Sequence, residues 1–317
     1  MVEYKPEGLC RPACELSSAQ LAQALTRGEV LQATALAFDR QQRLRLDLNG
    51  QPAYMEHDDC ADGIDSGQVR EIAVLTRVGR PTCFVITGAP GADGAWRLSR
   101  RLAQRRCRKE YLDRLQPGDI LPCRVTHIES FGAFCDVGCG ISALLPIDCL
   151  SVSRIQSPAD RVQLEGDLFC VIKSRDEQGR LVLSLRELLG TWQENAGRFA
   201  VGETVVGIVR SIEDYGVFIE IAPNLAGLAE RTEGLRLGQP VSVYIKSILP
   251  DKMKLKLVIV NRELSEPLRF ALPYTQTEGH IDRWVYSTPF SRKHIETEFE
   301  TEARAAAGPC AGEQILL

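Results

Sequence analysis

Two short aromatic clusters are the residues best suited to touch a ligand. Phe131-Gly-Ala-Phe134 and Tyr215-Gly-Val-Phe218 each set two rings three positions apart around a glycine. An exposed ring gives a nucleobase a stacking surface worth about 1–3 kcal/mol without reading its identity. The small residues between the rings let a strand bend and a neighbouring backbone approach closely. Ala133, Cys135 and Val137 alternate with Phe134 and Asp136. Asp136 does not suit a core, so strand alternation puts Phe134 outside with it, and Phe131 falls at a turn. Cations for a phosphate backbone accompany the rings. Lys252, Lys254 and Lys256 alternate with Met253, Leu255 and Leu257, which predicts three lysines on one strand face. Arg180 and Arg186 fall opposite Leu181, Leu183 and Leu185. A further basic run contains Arg101, Arg105 and Arg108, read either as phosphate contacts or as the solvated face of a linker helix.

Other chemistries find no foothold. The chain has no Gly-x-Ser-x-Gly elbow, no Gly-Lys-Ser or Gly-Lys-Thr phosphate loop and no His-Glu-x-x-His. Its four histidines, His57, His127, His280 and His294, lack companions at ligand spacing, and His127 reads as a structural histidine on a strand. Eleven cysteines without a secretory leader read as free thiols, and the odd number fits no closed disulfide framework. Cys10 with Cys14 and Cys135 with Cys139 are spaced too widely for a zinc knuckle. No catalysis, no metal and no cofactor are expected.

The elements that must hold the aromatic clusters are short strands. Ser17 with Gln20 forms a capping-box pattern for a helix reaching Thr26, which Gly28 can end. Strands follow around a turn at Asp39, Arg40 and Gln41, then at 82–87 and 96–99. A helix is predicted over 97–115, stopped by Pro117-Gly118. From Asp119 the pattern of strands repeats: 120–128, 133–137, 142–147, 168–174 and 181–185, a helical bridge over 187–199, then 204–212, 217–221, 225–229, 241–248 and 254–259. Val125-Thr-His-Ile-Glu-Ser-Phe131-Gly-Ala-Phe134 aligns with Val209-Arg-Ser-Ile-Glu-Asp-Tyr215-Gly-Val-Phe218. Five short strands per repeat with one long connection is the strand count of an OB barrel. The connection 147–165 is long enough for a helix, and its counterpart 231–237 is not. Gly279-His-Ile-Asp-Arg-Trp284-Val-Tyr286 suggests one more strand with an aromatic pair, and the tail from about Thr301 is expected to be disordered.

Phe131-Gly-Ala-Phe134, Gly166-Asp167 and Arg180-Leu-Val-Leu-Ser184 resemble the S-one RNA-binding domain of the bacterial ribosomal protein S-one family. Tyr215-Gly-Val-Phe218 and Lys254-Leu-Lys-Leu257 resemble a second copy. The resemblance covers 118–262 well and 20–115 weakly, through Val78-Gly-Arg80 and Arg97-Leu-Ser-Arg100 without the aromatic pair. The whole is similar to a short, divergent S-one-like protein of some Gram-positive bacteria. In that family two aromatics, a histidine, and an aspartate and arginine near the last strand contact RNA. Residue by residue, the resemblance implies such roles for Phe131, Phe134, Asp176 and Arg180, and for Tyr215, Phe218 and Lys254. Pro146 and Glu230 stand where the family has its histidine.

The expected fold is mainly β with linker helices: tandem five-stranded OB-fold barrels, the first one divergent. Expected domains are 1–116 with the basic helix, 117–190, 191–264 and a C-terminal extension 265–317. The chain has 317 residues, 44% hydrophobic and 25% charged, with formal net charge −4. That composition excludes a disordered chain or a wholly basic nucleic-acid coat. No apolar run is long enough to span a membrane, so a cytoplasmic protein without membrane partners is expected. The expected function is non-catalytic binding of single-stranded RNA or mRNA, linked through the resemblance to the small ribosomal subunit. The alternative is a protein-interaction scaffold whose barrels have lost RNA binding.

Overall fold

The computed structural model describes residues 4–264 and 268–299. The tail expected to be disordered lies outside the described residues. The chain divides into two compact units. One comprises Met1–Leu115, Pro122–Arg124 and Cys135–Ala143; the other comprises Gln116–Leu121, Val125–Phe134 and Leu144–Leu317.

The first unit begins with β1 (Arg11–Pro12) and α1 (Ser18–Arg27). The Ser17 side chain accepts from the Gln20 N–H while Gln20 returns a bond to the Ser17 backbone, and Gly28 ends the helix at φ 64°. Then come β2 (Val30–Phe38), β3 (Leu44–Asp47), β4 (Pro52–Met55), α2 (Ile72–Leu75), β5 (Pro81–Gly88), β6 (Trp96–Ser99) and α3 (Arg100–Glu110). The sheet runs β1-β2-β3-β4-β6-β5, and β5 pairs back onto β2, closing a five-stranded ring. Leu31, Leu44, Phe84 and Leu98 fill it. Alternation in the sequence does not reveal β4, because Ala53, Tyr54 and Met55 are all buried. Tyr54 lies on the outer face, and the guanidiniums of Arg43 and Arg97 cover its ring at 4.4 and 4.2 Å from the centre. Asp39 and Asp93 anchor the two arginines, each at 3.0 Å. The helix predicted over 97–115 is shorter: its first residues continue β6, and Ser99 caps α3 by accepting from the Leu102 N–H.

Two further closed barrels follow. The middle one orders β7 (Ile120–Glu129), β8 (Gly132–Asp136), β9 (Ser142–Pro146), β10 (Asp167–Arg175) and β11 (Leu181–Ser184) as β10-β11-β9-β8-β7. Its long connection holds α4 (Ile147–Leu150) and a 3-10 turn at Pro158–Asp160. The bridge predicted as one helix over 187–199 is a 3-10 turn, Arg186–Leu189, and a short α5 (Trp192–Ala196). Gly190 at φ 80° separates them, a conformation that interrupts any helix. The third barrel orders β12 (Thr204–Glu213), β13 (Gly216–Ala222), β14 (Leu225–Ala229), β15 (Pro240–Leu249) and β16 (Lys254–Asn261) as β12-β13-β14-β16-β15. Residues 230–239 hold no helix, as the shorter connection implies. The extension adds a hairpin of β17 (Arg283–Val285) and β18 (Glu296–Glu298). Trp284 and Tyr286 pack into the core of the third barrel beside Trp192. No helix among the described residues is long and apolar enough to cross a membrane.

Candidate nucleic-acid interface

The two aromatic clusters fold into the same geometry. In the middle barrel Phe131 is 54% exposed at the β7–β8 turn, and Phe134 stands half-buried on the outer face of β8. Their rings meet edge to face, 6.0 Å apart at 88°. In the third barrel Tyr215 is 70% exposed and its ring meets that of Phe218 at 6.1 Å and 87°. The glycine inside each motif explains the repetition. A Cβ on Gly132 would sit 2.6 Å from the Leu145 carbonyl oxygen, and one on Gly216 would sit 2.5 Å from that of Ala229. Only a glycine lets the next strand pass so close. Pro146 and Glu230 come directly after those two touched residues, so the positions matched to the family histidine do border the aromatic turns.

Phe134 stands on the outer face as alternation implies, but Asp136 on the same face is not in water. Asp136 is on the outer face and buried under the N-terminal segment. It accepts from the backbone N–H groups of Glu7 at 2.7 Å, Gly138 at 2.8 Å and Gly140 at 3.0 Å. Burial and the neighbouring Glu7 charge push its carboxyl up to about 7, against the pull of those N–H groups and Arg100. Burial would also raise Glu7, but Arg100 and Arg77 hold it below the usual value. The equivalent residue of the third barrel, Glu220, is fully buried and accepts from Arg161 at 2.6 Å and Arg210 at 2.8 Å. Each outer face is therefore open at its aromatic end and closed two residues later.

Around Phe134 the structure adds a residue that sequence reasoning set aside. The His127 ring lies 6.5 Å from that of Phe134, its side chain is 62% exposed, and Nε2 meets Glu129 at 2.8 Å. It is an exposed neighbour of the ring rather than a structural histidine. Strand alternation from the buried Val125 two residues earlier points His127 inward, so no sequence signal marks it. Asp176 and Arg180 sit at the β10–β11 turn. Asp176 accepts from the Gln178 and Arg180 N–H groups, and its other oxygen pairs with Arg180 Nε at 2.7 Å. The Arg180 side chain, then its backbone N–H, holds the Asp176 carboxyl below the ordinary carboxylate range. Among the described residues no hydrogen bond or ring contact ties this pair to Phe131 or Phe134.

The lysine stripe is partly redrawn. Lys252 lies in a 3-10 turn, Pro250–Lys252, and Met253 at φ 49° separates it from β16, so the three lysines do not share one strand face. Lys254 and Lys256 do, with Leu255 and Leu257 buried opposite. Cross-strand register sets Phe218, Leu228 and Lys256 in one row. Lys252 and Lys254 line a groove of about 1030 Å³ together with Tyr215 and Phe218.

Two of the arginines on the basic helix α3 are engaged by carboxylates. Arg101 pairs with Asp59 at 3.2 Å, and Arg105 with Asp62 at 2.7 Å, both with weaker contacts to Asp65. Arg100 is buried on Glu7 at 2.7 Å. Of the three arginines read as phosphate contacts, Arg108 alone is exposed without an ion pair to a described residue. The net charge of the run misled because its partners come from a loop some forty residues earlier.

Nine of the ten described cysteines are buried, and none of the ten is joined in a disulfide. Cys10 and Cys83 bring their sulfurs to 3.1 Å in the first unit. Among the described residues no group of three or more His, Cys, Asp or Glu side chains is placed to hold a metal ion.

Residues 114–186, the middle barrel, match the S1 RNA binding domain family. The chain is 31% identical over 179 residues to the small ribosomal subunit protein bS1 of Streptococcus pneumoniae, covering 51% of this chain and 44% of that protein. It is 32% identical over 163 residues to bS1 of Staphylococcus aureus, covering 47% and 41%. The chain thus spans less than half the length of these relatives. Among solved structures it is similar to a multidomain protein with nucleic acid binding domains from Streptococcus pneumoniae, at 16% identity and TM-score 0.24 over 75% of each chain. GSP13 from Bacillus subtilis matches at 16% identity and TM-score 0.23, over 27% of this chain and 74% of its own.

Proposed function

We propose that this chain, with its S1 RNA binding domain at 114–186, is a non-catalytic protein that binds single-stranded RNA on the outer faces of its second and third barrels. The observation that carries the reading is the repeated ring pair, 6.0 Å and 88° in one barrel and 6.1 Å and 87° in the next. An edge-to-face pair with its outermost ring in water holds one ring ready for a base, and its indifference to base identity suits single strands of any sequence. Lys252, Lys254, Lys256 and Arg180 supply the phosphate attraction, and Asp176 orients Arg180. Each barrel alone binds weakly; a strand crossing both gains avidity. The relatives named as small ribosomal subunit proteins make mRNA at that subunit the proposed partner, in the cytoplasm.

The test is an anisotropy titration of the full chain with labelled oligouridylate at low and physiological salt. Affinity should fall about tenfold or more as salt rises, since a few phosphate contacts carry it. Phe131→Ala with Tyr215→Ala should weaken binding while leaving the melt nearly unchanged, because both rings are mostly in water. A chain that binds no RNA even at low salt returns the barrels to the role of a protein-interaction scaffold.

A further inference from the structure

Beyond the third barrel the chain turns back onto it. The loop of the β17–β18 hairpin, residues 286–295, is pinned at two places. The Tyr286 hydroxyl donates to the Asn224 carbonyl at the β13–β14 turn. The Thr288 hydroxyl donates to the Pro250 carbonyl at 2.8 Å, in the turn that carries Lys252. Inside the loop the Ser287 hydroxyl donates to the Lys293 carbonyl and accepts from the Ile295 N–H, both at 2.7 Å. A loop fixed in this way would bury its apolar side chains if packing were its only task. Instead Phe290 is 77% exposed, and Arg292 and Lys293 also stand in solvent. All three line the groove that holds Tyr215, Phe218, Lys252 and Lys254.

The charges of that groove oppose those of the chain. Arg210 is buried on Glu220 and Asp160, and Arg154 faces Glu213 at 3.5 Å. That leaves Lys252, Lys254, Arg292 and Lys293 against Asp251, in a chain of net charge −4. Cations alone would also suit an acidic peptide. Exposed rings on both walls, Tyr215 on the barrel and Phe290 on the loop, favour a polyanion that carries flat bases.

We infer that the 286–295 loop is the second wall of a single-stranded RNA site on the third barrel. Bases stack on Tyr215 and Phe290, and Lys252, Lys254, Arg292 and Lys293 hold the phosphates between them. The inference rests on the RNA-binding reading and deepens it. It places the tighter site on the barrel outside residues 114–186, and makes the extension part of the binding surface. In the middle barrel, by contrast, Arg180 is engaged by Asp176 and His127 by Glu129.

The experiment uses the full chain and a labelled oligouridylate of about twelve nucleotides, within the range one OB fold covers. Phe290→Ala should weaken binding about tenfold with an unchanged Tm. Arg292→Glu with Lys293→Glu should flatten the slope of log affinity against log salt by about 1.4, the share of two single-strand phosphate contacts. Phe131→Ala should cost less than Phe290→Ala. If charge reversal disturbs the hairpin, seen in Trp284 fluorescence, the neutral pair Arg292→Gln with Lys293→Gln repeats the test. Wild-type affinity and slope in the loop variants, with Phe131→Ala weakened, would overturn the inference and leave RNA binding intact. No RNA binding by the wild type overturns both readings. Loop variants that lose a polyglutamate peptide but keep RNA would mark the groove as a protein-docking surface, against the inference.

Discussion

Glu220 lies at the centre of a buried arginine–glutamate–arginine group, and its removal should be severe. The side chains of Glu220, Arg161 and Arg210 are 0%, 2% and 5% exposed. Glu220→Ala leaves two guanidiniums in the interior, with Ser151 at 2.7 Å as the remaining partner of Arg161. Arg210 keeps Asp160 at 3.0 Å, which is 27% exposed and so already partly screened. Breaking a buried ion pair from one side costs about 3–5 kcal/mol, and Arg161, left with a hydroxyl as its partner, carries most of that loss while Arg210 retains Asp160. The group is itself imperfect, since Arg161 Nε is buried without a partner. The triple change Arg161→Met, Arg210→Met, Glu220→Leu removes every charge of the group at similar volume. It should therefore fall within about 1 kcal/mol of wild type or exceed it. Urea unfolding followed by tryptophan fluorescence in a Trp96→Phe background reads this directly. Trp192 and Trp284, the other two tryptophans, both sit in the third-barrel core. A loss below about 1 kcal/mol for Glu220→Ala would refute the argument from burial. A triple variant as unstable as the single one would show that the ion group is a net source of stability.

Three other outcomes are expected. Gly132→Ala drives a methyl against the Leu145 carbonyl oxygen at 2.6 Å, so it should cost about 1–3 kcal/mol in unfolding free energy and weaken RNA binding by moving Phe131. Gly179→Ala, with open space at its Cβ but φ 75°, is the comparison that separates strain from collision. Arg101→Glu with Arg105→Glu should lower the Tm of the first unit, because it sets glutamates against Asp59 and Asp62, and should leave RNA affinity unchanged; an affinity loss with an intact melt would restore the phosphate-contact reading. Asp136 titrates near about 7 in the folded chain, above its unfolded value near 3.9. The folded state thus holds a proton that the unfolded state releases. This group should take stability away from the first unit as pH rises from about 4 to about 7, whereas Glu7, lowered on folding, loses its contribution only at more acid pH. Thermal melts across that interval should slope downward in wild type and flatten in Asp136→Asn; identical slopes would refute the assignment.

The strand periodicity and the internal repeat made the second and third barrels legible, together with both ring pairs, because those strands alternate cleanly between core and outside. The Ser17–Gln20 cap and the Gly28 stop of α1 were also readable, since each is a local device within a few residues. What was hidden depended on distant partners. β4 carries three buried residues in succession because Arg43, at the turn before β3, and Arg97, on β6, cover Tyr54. The arginines of α3 looked like a phosphate-binding stripe until the Asp59–Asp65 loop was brought against them. Asp136 and Glu220 are buried carboxylates on an outer face, and nothing in their own strands announces the segments that cover them. The lysine stripe failed locally, because a left-handed Met253 cannot be told from a strand residue by polarity alone. The groove-lining part of the extension was unreadable, since Phe290, Arg292 and Lys293 gain meaning only from the barrel they return to.

Under the proposed function the covered Tyr54 ring bears on how many barrels a long RNA strand could use. Arg43 and Arg97 already lie over that ring at 4.4 and 4.2 Å, each tethered to its own carboxylate. A tethered group competes at the effective concentration its short connection imposes, and never diffuses away. An incoming base would have to displace two such cations before it gained any stacking. Under the proposed function the first barrel offers no free ring, so toward one RNA strand the three barrels should count as two, and lengthening that strand past the second platform should bring no further gain in residence time.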